Sequence, residues 1–443
     1  MHKPEISPDP FAAPLAEARR ALVRGDAAHA GVLVGRVLAG QPLHADALDL
    51  SAELAHLRGD LPALIDALTH LRGLRPDDAG LALDLAVVLL RAGQPGAAGT
   101  QLQAVLERQP THLPALLMLG EVRLREQCGA EACGYFMRAL EQAATTTLPP
   151  PEADPTLHSM LAKAREVLRR ERTRVIDAAL QPLQARHGEA ALRRVRECAD
   201  VFLGRRPVRH AHPLQRPAMM YIPDLAPRPF FERTEFPWLA QLEAATAMIR
   251  EEYLALVRES APGFEPYVQY PAGHRQAQEW SEVNNSDRWS AFHLFRHGQR
   301  VAGNADRCPR TTALLDELPL MRIRDHAPEV VFSVLRPHSR IPPHYGSVNG
   351  RLIVHLPLIV PPDCGALQVA GEQRGWREGE CMVFDDSFEH LAWNQSDHVR
   401  VVMLLDIWNP QLSAAEREAF AALLIGVDDF HDAALAARSE RFG

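Results

Sequence analysis

Two histidines and one arginine between Val331 and Leu412 are of the right types, in a suggestive order, to do chemistry. His344 sits in a polar turn, Pro342-Pro343-His344-Tyr345-Gly346, between two apolar runs. His390 closes Phe384-Asp385-Asp386-Ser387-Phe388-Glu389-His390, just after a strand-like run, and Arg400 interrupts the otherwise apolar Val399–Leu405. Neutral imidazoles suit Fe(II), and non-haem iron oxygenases use two histidines plus one carboxylate on one face, leaving coordination positions open for substrates. Residues so far apart in sequence must be brought together by strands that meet in space. An arginine buried beyond the second histidine needs an anion, because an unpaired buried charge is costly, and a planar guanidinium pairs with a carboxylate through two parallel hydrogen bonds. The three residues together imply a metal and an acidic cosubstrate, for which 2-oxoglutarate has the right chemistry. Blander readings stay open: the histidines as surface or core side chains or as Zn(II) ligands, and Arg400 in a structural ion pair with Asp386 or Asp406.

The wider pattern resembles a known family. His344-Tyr345-Gly346, Arg351-Leu352, His355-Leu356-Pro357-Leu358, Phe384–His390, Arg400 and Asp406-Ile407-Trp408-Asn409-Pro410 are similar, in order and spacing, to the aspartyl/asparaginyl β-hydroxylases, with weaker echoes back to Tyr221. The resemblance implies an Fe(II)- and 2-oxoglutarate-dependent dioxygenase on a double-stranded β-helix, a jelly-roll or cupin-like fold. It implies His344 and His390 as the iron ligands and Arg400 as the arginine holding the distal carboxylate of 2-oxoglutarate. Ser333, His355 and Trp289 match further cosubstrate contacts. Gly346 falls where most 2-oxoglutarate oxygenases place a third, carboxylate ligand, which this family lacks. The chain departs from the family's hydroxylase of epidermal-growth-factor-like domains at Ile353, where that enzyme has a second arginine; the departure bears on how the near carboxylate is held or how an acidic substrate is read. Asp385 and Asp386 are read as acceptors orienting a histidine or as turn residues, with direct ligation of the metal as the alternative. His338 is read as solvated, without a role.

The elements that must position these residues fall into an α+β multidomain plan. Residues 1–145 form an all-α helical solenoid: Gly25-Asp26, Gly59-Asp60 and Gly93-Gln94 recur every 34 residues, as do Pro42, Pro76 and Pro110. That period, with a glycine turn between two amphipathic helices and a proline ending the second, resembles tetratricopeptide repeats, with a diverged unit around Gly129. Stacked pairs bury a continuous core and leave a groove, read as a docking surface for a peptide or partner, or else as a spacer or dimerisation arm. Residues 146–218 read as a junction: a proline-rich break, two or three Arg-rich helices over Pro155–Gly204, and an exposed linker carrying His210 and His212. Residues 219–443 read as the oxygenase domain. Within it the pattern predicts one amphipathic helix over Leu239–Arg258, a strand from Trp289, a short helix in Pro309–Leu318 starting at Thr311 or Thr312, apolar or alternating strands after Val330, and a C-terminal helix over Ser413–Arg441 capped by Ser413 with Glu416.

Composition narrows the function classes. A net charge of −8 over 443 residues disfavours a nucleic-acid or anionic-membrane role. The N-terminus has no apolar leader-like region and the chain no long apolar run, so the expected location is cytoplasmic, with no membrane segment. Six cysteines without a CxxC pair suggest no disulfide framework. The expected activity is hydroxylation of the β-carbon of an aspartyl or asparaginyl residue in a peptide or protein, with O2 as the other substrate and the repeat groove docking the polypeptide. The alternatives are the same chemistry on a small molecule, and a non-catalytic repeat scaffold with a degenerate β domain.

Overall fold

The structure, a computed structural model, describes residues 10–271 and 273–436. The stretch 1–9, read above as part of a leaderless N-terminus, and the last part of the C-terminal helical reading, 437–441, lie outside the described residues. Contacts divide the chain into two compact units, one up to Glu171 together with the residues from Phe430, the other Arg172–Asp429. The division falls within a helix rather than at residue 145, and the stretch 146–218 is not a body of its own.

The first unit is built from helix pairs: α1 (Ala12–Val23) with α2 (Ala27–Gly40), α3 (Ala45–Arg58) with α4 (Leu61–Leu74), α5 (Ala79–Arg91) with α6 (Pro95–Arg108), and α7 (Leu113–Arg125) with α8 (Gly129–Thr145). Gly25, Gly59 and Gly93 take φ of 81°, 68° and 73°, the left-handed conformation that reverses the chain between paired helices. Gln127 holds the fourth such turn at φ 62° without a glycine, and Gly129, around which the diverged unit was expected, opens α8. Asp26 and Asp60 follow their glycines and cap the next helix, accepting from His29 N and Ala63 N. Pro42, Pro76 and Pro110 lie two residues past the ends of α2, α4 and α6; Ala144 stands at the next interval, and α8 runs on to Thr145. Small buried residues recur at the same spacing, Ala18, Ala52, Ala86 and Gly120, and a Cβ on Gly120 would come within 2.5 Å of the Phe136 ring. The result is a helical repeat region of the tetratricopeptide type.

Two helices follow, α9 (Pro155–His187) and α10 (Arg193–Phe202), as the Arg-rich pattern predicts. The second unit continues with β1 (Phe230–Phe231), α11 (Leu239–Ala244), α12 (Thr246–Arg258), β2 (Phe264–Pro266), α13 (Arg275–Glu279), β3 (Trp289–Arg296), β4 (Gln299–Arg300), α14 (Ala302–Ala305) and α15 (Pro309–Glu317). Then come β5 (Val330–Leu335), β6 (Ser339–His344), β7 (Arg351–Ile359), β8 (Leu367–Val369), β9 (Glu372–Arg374), β10 (Met382–Phe384), β11 (His390–Asn394), β12 (Arg400–Trp408) and α16 (Ala414–Ala436). The single helix expected over Leu239–Arg258 is two, broken at Ala245, where the Thr246 hydroxyl donates to Glu243 O at 2.6 Å. Helix α15 starts at Pro309, not at Thr311 or Thr312, because proline has no N–H to leave unpaired in the first turn. Ser413 and Glu416 form the expected reciprocal cap of α16, with Ser413 N donating to Glu416 Oε2 at 2.9 Å and Glu416 N donating to Ser413 Oγ at 3.3 Å.

The strands form two antiparallel sheets, in the orders β1-β10-β7-β12-β5-β3-β2 (with β4 on β3) and β6-β11-β8-β9. From β5 to β12 the chain passes repeatedly between them. Side chains alternate along each strand. Leu352, Val354, Leu356 and Leu358 of β7 and Val401, Met403, Leu405 and Ile407 of β12 join a core with Leu242, Ile249 and Leu256 of α11 and α12. Burying each such side chain contributes about 1.5–3 kcal/mol. The intervening positions, Arg351, Ile353 and His355 on β7 and Arg400, Leu404 and Asp406 on β12, line a cavity on the opposite face. No described helix is long and apolar enough to cross a membrane.

Candidate active site

The smaller sheet supplies the histidines. His390, the first residue of β11, is the direct antiparallel partner of His344, the last of β6. Directly opposed residues bring their Cβ atoms to about 4.5–5.5 Å, and here the imidazole centroids lie 4.0 Å apart. Each ring is fixed the same way: His344 Nδ1 lies 2.8 Å from Pro342 O and His390 Nδ1 lies 2.9 Å from Phe388 O. A proton on Nδ1 satisfies that carbonyl and leaves the lone pair on Nε2. Burial pushes both rings far below the ordinary histidine range, His344 to about 3 and His390 to about 4, so both are neutral near pH 7. Such a donor set fits a divalent metal. Among the described residues no three His, Cys, Asp or Glu side chains gather as a metal cluster, so no carboxylate completes the pair.

The larger sheet supplies the charge. Arg400 is 1% exposed and, among the described residues, has no carboxylate partner. Its Nη1 reaches Ser333 O and Oγ only at 3.4 and 3.5 Å, and its Nε has no hydrogen-bond partner. Burial lowers its pKa to about 10, still charged at neutral pH. The structural ion pair with Asp386 or Asp406 is overturned: both carboxylates face Arg351, at 2.5 and 3.5 Å. Although burial opposes its charge, Asp386 and Asp406 keep the Arg351 proton bound above the ordinary arginine range.

Around Arg400 the other expected residues converge. Trp289 Nε1 donates to Ser333 Oγ at 3.0 Å, which leaves the Ser333 hydroxyl proton free to donate. Trp289 itself stacks on Tyr267 at 3.9 Å and acts on the site through Ser333. His355 is buried and held well below the usual histidine range by burial and by Arg400. Its Nδ1 accepts from Trp376 Nε1 at 3.1 Å; an indole nitrogen only donates, so the His355 proton must sit on Nε2. Arg400 lies over the Trp376 ring at 4.8 Å. His344, His390, Arg400, Ser333, His355 and Trp289 all line one cavity of about 250 Å³.

Asp385 and Asp386 do not orient a histidine; backbone carbonyls do. Asp385 takes Ser387 N, Ser387 Oγ and Gln215 Nε2, and burial raises it to about 8. Asp386 lies against Gly346, where a Cβ would meet its Oδ2 at 2.1 Å. The space that a third ligand side chain would need is thus already filled. His338 is exposed, with Asp397 Oδ1 2.9 Å from its Nε2. The segment read as an exposed linker packs its two rings, His210 on Tyr221 at 4.9 Å and His212 on Phe388 at 5.2 Å. Sequence reasoning missed Trp376, Tyr267 and Trp280, whose ring meets His344 edge-on at 5.0 Å. The available signal was an aromatic between turn glycines, Gly375-Trp376-Arg377-Glu378-Gly379, since a tryptophan kept in a turn usually seeks a partner for its N–H.

This geometry has relatives. A profile described as aspartyl/asparaginyl beta-hydroxylase matches residues 243–410. The ornithine lipid ester-linked acyl 2-hydroxylase of Rhizobium tropici is 31% identical over 202 residues, 45% of this chain and 67% of that protein. The chain belongs to the aspartyl/asparaginyl β-hydroxylase family. Aspartate beta-hydroxylase domain-containing protein 2 of Homo sapiens is 34% identical over 210 residues, 46% of this chain and 54% of that one. The human aspartyl/asparaginyl beta-hydroxylase is 29% identical over 182 residues, 41% of this chain and 22% of its own length. The chain spans about half the length of the first curated relatives it matches. Among solved structures, MamA protein aligns at 16% identity over 40% of this chain and 94% of that one, with a TM-score of 0.30.

Proposed function

We propose that this chain is an Fe(II)- and 2-oxoglutarate-dependent dioxygenase on a double-stranded β-helix, hydroxylating an aspartyl or asparaginyl residue of a polypeptide. One observation carries the reading: a fully buried arginine without an anion faces the same cavity as two neutral, carbonyl-anchored imidazoles. His344 and His390 would hold the iron. When bound, the metal activates O2 at the cost of 2-oxoglutarate, one oxygen atom entering succinate as CO2 leaves and the other entering a C–H bond. Arg400 takes the distal carboxylate of 2-oxoglutarate, the Ser333 hydroxyl and the His355 Nε2–H donate to its oxygens, and Trp289 and Trp376 hold those donors in place. Arg351 keeps Asp386 over Gly346, beside the histidines. The β5–β12 strand order, with the chain alternating between the two sheets, supports the double-stranded β-helix. The repeat region supplies a surface for a partner polypeptide.

A second reading, an acyl chain as the target, has in its favour the similarity to the ornithine lipid ester-linked acyl 2-hydroxylase. The experiment for the first is succinate release with the mass gain of one oxygen atom on a candidate peptide. Both are expected from the wild-type chain with Fe(II) and 2-oxoglutarate, and both should vanish in His344→Ala. A chain that releases no succinate under these conditions is not this enzyme.

A further inference from the structure

A second cavity, of about 580 Å³, lies on the other face of the larger sheet, within the roughly 300–1,000 Å³ range of small-molecule sites. Its floor is one row of residues paired straight across five strands: Pro266 of β2, Ser290 of β3, Val334 of β5, Val401 of β12 and Ile359 of β7. Their chain neighbours Trp289, Ser333 and Arg400 point the opposite way, into the histidine cavity, so the two cavities stand back to back on one sheet. Helix α12 forms the wall. Leu254 and Val257 of that helix line the cavity and are exposed, although both are large and apolar. Floor and wall together leave apolar surface in water, and an apolar ligand covering it would gain about 25 cal/mol per Å².

Two hydroxyls interrupt the apolar lining. Tyr253 and Ser290 are only 4% and 8% exposed, yet neither hydroxyl has a hydrogen-bond partner among the described residues. Neither oxygen is one of the buried polar atoms sealed from solvent, so a ligand in the cavity can reach both. A buried hydroxyl left unpaired is costly, and an acceptor on a ligand relieves that cost. The charge bearing on the Tyr253 phenol is that of Arg336 on the rim. Burial pushes the phenol up to about 12 while Arg336 draws it down, so the hydroxyl keeps its proton to donate. Arg336 gives Asp287 one hydrogen bond, from Nη2 at 3.1 Å, in an exposed pair of the kind that contributes little and that a ligand can share or replace. The other acid on the lining, Glu265, is already engaged by Arg296 at 2.7 Å. One end of the cavity is thus able to donate to an anion, and the rest accepts a tail. We infer that the cavity is a second binding site, for an amphiphilic monocarboxylate, with its apolar tail between α12 and the floor row and its carboxylate at the Tyr253–Arg336 end. The inference stands apart from the oxygenase reading, since it needs neither iron nor 2-oxoglutarate.

Decanoate is titrated calorimetrically into the full chain, without metal and below its micelle concentration, beside butyrate, which lacks the tail, and decanol, which lacks the charge. The same titration of Arg400→Met separates this site from the histidine cavity, whose own guanidinium attracts carboxylates. The expected result is a site for one decanoate that Arg400→Met retains, with butyrate and decanol at least about tenfold weaker. Tyr253→Phe and Arg336→Gln should each weaken decanoate about tenfold. Tyr253→Phe removes a hydroxyl that bonds to nothing in the free chain, so the melting temperature without ligand should not fall. Val257→Glu, at an exposed position, should abolish binding without unfolding the chain. No saturable binding to wild type, binding lost in Arg400→Met, decanol bound as tightly as decanoate, or an affinity unchanged in Tyr253→Phe and Val257→Glu would each overturn the inference.

Discussion

On the proposed function, Arg400 and Trp376 are residues that trade stability for readiness to bind 2-oxoglutarate. Arg400 is a buried guanidinium without an anion, an arrangement that costs free energy until a ligand arrives. Replacing it with a flexible apolar side chain of similar length removes that cost and the ligand's anchor together. Arg400→Met is expected to unfold at a higher temperature than wild type without cosubstrate, by an amount equivalent to about 1–3 kcal/mol, and to lose succinate formation. A melting point that falls would mean Arg400 already has an anion in the resting protein. Trp376→Phe keeps a ring under Arg400 and removes the N–H that fixes the His355 proton on Nε2. The His355 tautomer is then free to flip and, on the proposed function, would present a lone pair to 2-oxoglutarate. KM for 2-oxoglutarate should rise about tenfold with kcat nearly unchanged; a fall in kcat alone would place Trp376 outside cosubstrate binding.

At the scale of elements, the repeats were the most legible part of the sequence, because each turn needs a left-handed residue and each second helix needs a stop. Gly59 combines the two arguments, with φ 68° and a capping Asp60 behind it. Gly59→Ala should cost about 1 kcal/mol and Asp60→Ala about 1 kcal/mol, each as a lower denaturation midpoint in the far-ultraviolet circular dichroism of the repeat helices. A Gly59→Ala midpoint equal to wild type would show that the turn relaxes to a right-handed conformation at no cost. The fourth repeat was harder to place because Gln127 adopts the same φ without glycine's signature. The break at Ala245 was invisible for a related reason: the apolar spacing of Leu239–Arg258 carries through it, and only the Thr246 hydroxyl on Glu243 O marks the interruption. In the β domain the order His344, His390, Arg400 pointed to a shared site. The partners of Arg351 did not, since nothing local says which of two arginines takes Asp386 and Asp406. That choice is made by which faces of β7 and β12 turn inward.

For the whole molecule, burial of ionisable groups sets how stability responds to pH. His344 and His390 have folded values depressed to about 3 and about 4, so their contribution is complete above the ordinary histidine value of 6.5 and is lost as pH falls. Asp406, raised to about 6, contributes fully below its ordinary value of 3.8 and has lost that contribution once pH exceeds 6. Between about pH 6.5 and 8 these groups are nearly constant. Asp385 is not: raised to about 8 by burial, it keeps its proton in the folded chain and has lost it in the unfolded one. Stability should therefore fall through this window by about 1.4 kcal/mol per pH unit. Gln215 Oε1 is buried without a partner, and turning the amide end for end brings it to the protonated Asp385. Asp385→Asn mimics that protonated acid, with its Nδ2 donating to the same oxygen. All six tryptophans lie between Trp238 and Trp408, so urea unfolding followed by their fluorescence reads this unit without the repeats. The wild-type midpoint should drop from pH 6.5 to 8 while that of Asp385→Asn stays level, the two curves separating as pH rises. A wild-type curve as flat as the variant's would mean that Asp385 is already ionised in the fold, with Gln215 and Ser387 stabilising its charge better than burial opposes it.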